Sequence, residues 1–184
     1  MINVCVFCGS TPGTNPAFSA AASELGAALA DAGIGIVYGG GALGLMGDVS
    51  GGALSRGGHV TGVIPRSLVD LELGRTDIAD LRVVAGMHER KALMYELSSA
   101  FVTLPGGLGT FDEFFETATW TKLGLHRKPS LVLDVDGYYA PLRSLLDHAL
   151  DSGFFSHGDQ DLISFHETVD SLVAALEGLG DHPA

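Results

Sequence analysis

A chain of 184 residues is long enough for one domain with a sizeable core, and 46% hydrophobic residues, 17% charged residues and 26 glycines suit a sheet covered on both faces and joined by tight turns. A formal net charge of -12 argues against nucleic acid and anionic membranes as partners, because both would repel it. No apolar stretch has the length needed to cross a bilayer, and no basic segment precedes Val4 to Phe7, so the expected location is the cytoplasm.

Apolar runs and helical patterns alternate along the chain. A strand at Asn3 to Phe7 precedes a helix over 16–31, and a strand at Ile34 to Tyr38 precedes a helix over 43–56. Further strands at Val60 to Ile64 and Leu81 to Val84 lead to a helix over 87–98. The strand Phe101 to Leu104, a helix over 110–123, the strand Leu131 to Val135 and helices over 138–151 and 167–178 complete the pattern. This rhythm predicts an α/β fold, a doubly wound parallel sheet with helices on both faces, in a single domain spanning 1–178 with a disordered tail over 179–184. Pro65 to Asp80 is the one long connection, charged and without periodicity, and is a candidate lid.

Cys5 and Cys8 form a C-x-x-C, but they fall in the first strand and at its end, where thiols pack as small hydrophobes. No second cysteine pair completes a zinc site and the histidines are scattered, so no metal is expected.

Ligands of such sheets bind at the carboxyl ends of the strands, where the strand order reverses. Three glycine-rich loops follow predicted strands: Cys8-Gly9-Ser10-Thr11, Gly39-Gly40-Gly41-Ala42-Leu43-Gly44 and Pro105-Gly106-Gly107-Leu108-Gly109-Thr110. Three on one sheet edge favour a ligand with both a phosphate and a sugar or base. Gly39-x-Gly41-x-x-Gly44 matches the dinucleotide fingerprint, which raises an NADP-binding oxidoreductase. The next strand, however, ends Val63-Ile64-Pro65-Arg66 without the acidic residue that binds ribose, although Arg66 could meet a 2′-phosphate, and the fingerprint usually follows the first strand.

The third loop is the most informative. In Pro105 to Glu113 a strand, a glycine turn and a helix start follow one another, so the unpaired N–H groups of the first helical turn can point at a phosphate, with Glu113 in that turn beside them. A plain connection capped by Thr110 is the structural alternative. On the helix that follows, Phe111, Phe114, Phe115 and Ala118 are predicted to face inward, Asp112 to be solvated, and Trp120 to pack.

Met87-His88-Glu89-Arg90-Lys91 opens the preceding helix. Arg90 shares a stripe with Leu93, Met94 and Leu97 and so faces inward, and a cation in the first turn also opposes the helix dipole. A ligand phosphate or a carboxylate such as Glu113 would offset both costs; a surface ion pair is the alternative.

Together, Pro105-Gly-Gly-Leu-Gly-Thr-Phe-Asp-Glu113 and Met87-His-Glu-Arg-Lys91 resemble the LOG family, the cytokinin riboside 5′-monophosphate phosphoribohydrolases. The resemblance extends from Cys8-Gly9-Ser10 through Tyr38-Gly-Gly-Gly41 and Gly44-Leu-Met-Gly47 to Thr119-Trp120 and Leu123-Gly124. It implies a Rossmann-like subunit, a homodimer with the site near its interface, and hydrolysis of the N-glycosidic bond of an adenosine 5′-monophosphate, preferably N6-substituted, without metal or cofactor. By the resemblance Arg90 and Glu113 are catalytic, and substrate contacts fall on Gly9, Ser10, Gly40, Gly41, Glu72, Lys91, Gly106, Gly107, Leu108, Gly109, Thr110 and Thr119. The lysine decarboxylase label often given to the family implies pyridoxal phosphate, yet Lys91, Lys122 and Lys128 lie in no recognisable Schiff-base context. A nucleotide-binding protein without catalysis would use the same loops.

Overall fold

A computed structural model describes residues 2–69, 74–75 and 77–179. The strands Asn3–Phe7 (β1), Gly35–Tyr38 (β2), Val60–Pro65 (β3), Asp80–Val84 (β4), Ala100–Thr103 (β5), Ser130–Leu133 (β6) and Ile163–His166 (β7) make one seven-stranded sheet. Its order is β4-β3-β2-β1-β5-β6-β7, and all neighbours are parallel. The helices are Pro16–Asp31 (α1), Gly44–Ser55 (α2), Met87–Glu96 (α3), Leu108–Lys122 (α4), Ala140–Asp151 (α5), His157–Gln160 (α6) and Val169–Leu179 (α7). This is the expected Rossmann-like architecture.

Alternation along the strands divides the core. Val4, Val6 and Cys8 point to one face, where they join Leu25 and Leu29 of α1, Leu45 and Val49 of α2, and Leu172 and Leu176 of α7. Cys5 and Phe7 point to the other, against Phe101 of β5 and Met94 and Tyr95 of α3, with Trp120 of α4 packed on the edge. A third cluster joins Phe114 of α4, Val132 of β6, Tyr139 and Leu142. A period of two thus buries both faces of the central strands, as a parallel sheet sandwiched by helices requires.

Local signals set the helix ends. The Asn15 side chain accepts from Ala17 N at 3.0 Å and Pro16 takes the first helical position, which starts α1. Gly26 and Gly52 let α1 and α2 touch backbone to backbone. A Cβ on Gly26 would stand 2.0 Å from Val49 O, and one on Gly52 2.1 Å from Ser23 O.

Two elements were not predicted. Strand β7 is a short edge strand, Ile-Ser-Phe-His, whose residues are only partly covered, so it lacks the apolar run that marks the central strands. Helix α6 has four residues and rests on a capping box between Ser156 and Asp159. At the end of the chain, residues 180–184 of the expected tail lie outside the described residues, while Gly178 and Leu179 belong to α7.

Candidate active site

The sheet order reverses between β1 and β5, and the loops that leave these strands lie side by side there. Gly9 N donates to Pro105 O at 3.0 Å, which ties the first loop to the third. The second loop closes in through Gly44 (φ 58°), where a Cβ would meet Ser10 C at 2.4 Å. A cavity of about 200 Å³ opens at this point.

Its floor is Val6, Cys8, Gly9 and Ser10 from β1 and its loop. Its walls are Gly39 and Met46 on one side and Met87, Arg90 and Met94 of α3 on another. The N-terminal part of α4 closes it with Gly107, Leu108, Gly109, Thr110, Asp112 and Glu113. Arg90 and Glu113, 23 positions apart, therefore share one cavity.

Arg90 is buried, 6% exposed, as its stripe predicted. Its Nη2 donates to Gly39 O at 2.8 Å and its Nε to Val63 O at 3.1 Å, so the carbonyl ends of β2 and β3 hold the guanidinium. Its Nη1 donates to the Met87 sulfur at 3.7 Å. These acceptors offset part of the cost of burying a cation.

Glu113 lies in the second turn of α4, not the first, because the helix starts at Leu108 rather than at residue 110. Its carboxylate is thus further from the helix terminus than expected, and the dipole argument weakens accordingly. Its field nonetheless reaches the cavity floor: burial first, then the charge of Glu113, hold the Cys8 thiol far above its usual range, while Arg90 pulls the other way. Cys8 is therefore a neutral thiol at ordinary pH, unfit as a nucleophile. Cys5 lies below it in the core, fully buried, and both cysteines are free.

The N-terminus of α4 carries no side-chain cap, so it is open to an anion. Its cap residue is Gly107, and its first helical bond runs from Phe111 N to Gly107 O. The N–H groups ahead of Phe111 have no carbonyl within the helix. A Cβ on Gly107 or Gly109 would meet nothing within 4 Å, so both glycines leave open space on the cavity side. Thr110 is not the cap; it is buried, with its Oγ1 against Gly106.

The predicted contact residues divide. Gly9, Ser10, Gly107, Leu108, Gly109 and Thr110 line the cavity with Arg90 and Glu113. Gly106 lies behind the loop, beside Gly9 and Thr110. Gly40, with φ 77°, packs against Ile64 and Leu81, and Gly41 bridges to Gly74. Packing between loops thus accounts for Gly40, Gly41 and Gly44, whereas Gly39 lines the cavity and leaves room for the Arg90 guanidinium.

Lys91 Nζ sits between Asp112 (3.0 Å) and Glu116 (2.9 Å); it does not itself line the cavity but pairs with Asp112, which does, and Glu116 also accepts from Tyr95 Oη at 2.7 Å. Thr119 stands on another face of α4, in a groove with Phe115, Ala118 and Lys122. Phe115 itself is 40% exposed, against expectation, because the buried stripe of α4 is Thr110, Phe114 and Thr117. Glu72 lies outside the described residues.

Sequence reasoning did not assign a role to Met46, Met87 and Met94, which make a polarizable apolar wall. A signal was present, since Met87 and Met94 stand three and four positions from Arg90 on one face of α3.

The family model described as "Possible lysine decarboxylase" matches residues 46–176. The cytokinin riboside 5′-monophosphate phosphoribohydrolase LOG of Oryza sativa subsp. japonica is 45% identical over 174 residues, covering 95% of this chain and 72% of that protein. LOG4 of Arabidopsis thaliana is 46% identical over 174 residues, covering 95% of this chain and 81% of that protein. This chain belongs to the LOG family.

Solved structures share the LOG-type fold at lower identity. The Moco carrier protein of Chlamydomonas reinhardtii superimposes with a TM-score of 0.70 at 23% identity, covering 98% of each chain. The molybdenum cofactor binding protein of Rippkaea orientalis does so with 0.70 at 19%, covering 97% of this chain and 95% of that one. Neither likeness carries more than the fold. The decarboxylase wording of the family model does not suit the site, for Lys91 is held by carboxylates, Lys122 by Asp159 at 2.9 Å, and Lys128 donates to Tyr95 O at 2.6 Å. None of the three lysines lines the cavity, so pyridoxal phosphate would find no Schiff-base partner there. Among the described residues no helix is long and apolar enough to cross a membrane.

Proposed function

We propose that this LOG-family chain hydrolyses the N-glycosidic bond of adenosine 5′-monophosphates, with preference for N6-substituted bases, and releases the free base and ribose 5-phosphate. The observation that carries this reading is the convergence of Arg90, Glu113 and the open N-terminus of α4 on one cavity. Membership of a family whose relatives are named phosphoribohydrolases supports it.

The chemistry follows from what each group can do. The phosphate binds the N–H groups at the start of α4, together with Gly9 and Ser10, and its binding energy orients the ribose. As the bond between C1′ and the base nitrogen breaks, positive charge develops on the ribose, and the Glu113 carboxylate stabilises it and orients a water. That water adds its oxygen to C1′; one of its protons ends on the departing base and the other stays on the new C1′ hydroxyl. Arg90, clamped by Gly39 and Val63, orients Glu113 and the substrate. The methionine wall takes the base and its apolar N6 substituent.

Gly40, Gly41 and Gly106 serve this site indirectly by shaping loops, and Lys91 does so by tying α3 to Asp112 and Glu116 of α4. A homodimer is supported by apolar side chains left exposed on and after α4, where Leu108 is 88%, Leu123 67% and Leu125 66% exposed. Two free cysteines suit a reducing cytoplasm, and the net charge of -12 disfavours nucleic acid and membrane partners.

The test is incubation with AMP and with N6-isopentenyladenosine monophosphate, scored for free base. Base release is expected from both, faster from the second. Replacing Glu113 with Gln should lower kcat by about 10²- to 10⁴-fold while the melting temperature holds. Normal turnover by that variant, or no base released by the unaltered protein, would refute the reading.

A further inference from the structure

Two adjacent tyrosines, neither lining the catalytic cavity, hold the loop that opens onto it. Tyr138 Oη donates to Gly106 O, and Tyr139 Oη donates to Leu104 O at 2.7 Å. The bonds look equivalent, yet their consequences differ because of the residue that follows each carbonyl. In a trans peptide the C=O and the next N–H point in opposite directions. No peptide among the described residues is cis.

Tyr138 lies in a second cavity behind the loop, with Phe18, Leu45 and Gly106. Gly107 stands between the two cavities and lines both. A Gly106 carbonyl turned back toward Tyr138 therefore sends the Gly107 N–H forward, toward Arg90 and Glu113. Leu104, by contrast, precedes Pro105, which has no N–H to aim. Gly107 meets no neighbour where a Cβ would be, so sterics alone do not hold this peptide in one orientation.

The turn that presents Tyr138 is itself unusual. Asp136 has φ 51° and ψ 34°, the one non-glycine residue with positive φ among those described, and Gly137 follows with φ 71°. Asn15 Nδ2 donates to Asp136 Oδ2 at 2.8 Å, and the Phe18 ring meets the Tyr138 ring edge-on at 5.4 Å. A conformation costly for aspartate persists where its surroundings determine it, and what it delivers here is the Tyr138 hydroxyl.

We propose that Tyr138 is a positioning residue which, through the Gly106 carbonyl, keeps the Gly107 N–H aimed at the phosphate of the bound nucleotide. This rests on the reading that a nucleoside monophosphate occupies the cavity. It is tested by calorimetric titration of AMP and adenosine into Glu113→Gln protein, in which turnover of the nucleotide is strongly slowed, and into the same protein carrying Tyr138→Phe or Tyr139→Phe. Tyr138→Phe is expected to weaken AMP by about fivefold to tenfold and to leave adenosine unchanged, the effect of one lost hydrogen bond on one group of the ligand. Tyr139→Phe is expected to lower the melting temperature and to leave the ratio of AMP to adenosine affinity as it was. Equal losses for both ligands, no loss, an equal change of ratio in Tyr139→Phe, or AMP binding no tighter than adenosine without either tyrosine change would overturn the proposal. Base release by the unaltered enzyme is a separate readout: its absence removes the hydrolase reading, while the affinity ratio still decides the role of Tyr138.

Discussion

Gly39 has no side chain, and the guanidinium of Arg90 occupies the space one would fill. A Cβ there would stand 2.1 Å from Arg90 Nη2 and 3.0 Å from the Met46 sulfur. Gly39→Ala should therefore push Arg90 out of its carbonyl clamp. A shift near 1 Å at a reacting group is worth about 10²-fold in rate, so kcat for base release should fall by that order with the fold retained by circular dichroism. Cys8 gives a second expectation at this scale. Because burial and the Glu113 charge raise its thiol far above the ordinary value, it stays protonated through neutral pH and becomes reactive only in alkali. Iodoacetamide at pH 7.5 should label it much more slowly in the folded protein than in denaturant, as read by mass spectrometry. The inward turn of Arg90 was legible from its spacing to Leu93, Met94 and Leu97. Its acceptors were not, since Val63 and Gly39 lie 27 and 51 positions away and offer backbone oxygens that leave no trace in the residue types.

Helices α1 and α2 depend on glycine for their contact. Replacing Gly52 by Ala puts a methyl 2.1 Å from Ser23 O, a backbone atom that cannot rotate aside. The helices must separate, at a cost of about 1–3 kcal/mol, which lowers the melting temperature by several degrees in a calorimetric scan while the folded fraction still turns over. The central strands and long helices were readable because both faces of the sheet are buried and the helices have clear stripes. The start of α4 was misplaced because Thr110 looks like a cap, whereas the chain turns helical from an uncapped Gly107. That shift moved Glu113 out of the first turn. Strand β7 escaped because an edge strand alternates polar and apolar residues over only four positions.

For the molecule as a whole, parallel pairing and a strand order that reverses between β1 and β5 bring three distant glycine loops to one edge. The expectation that they act together followed from this topology, and the cavity lies where two of them meet the start of α3 and α4. The loops do not contribute equally. The first and third face the cavity, while the second mostly packs, a distinction that glycine spacing cannot express. For a chain of net charge -12, the proposed phosphate binding relies on local dipoles, which α4 supplies beside the buried cation of Arg90. The most direct test of this arrangement is a crystal structure of Glu113→Gln protein with AMP bound. The account predicts the phosphate on the N–H groups that begin α4 and the ribose C1′ within reach of both residue 113 and Arg90. A nucleotide seated with its glycosidic bond away from these two side chains, or bound at another edge of the sheet, would contradict it.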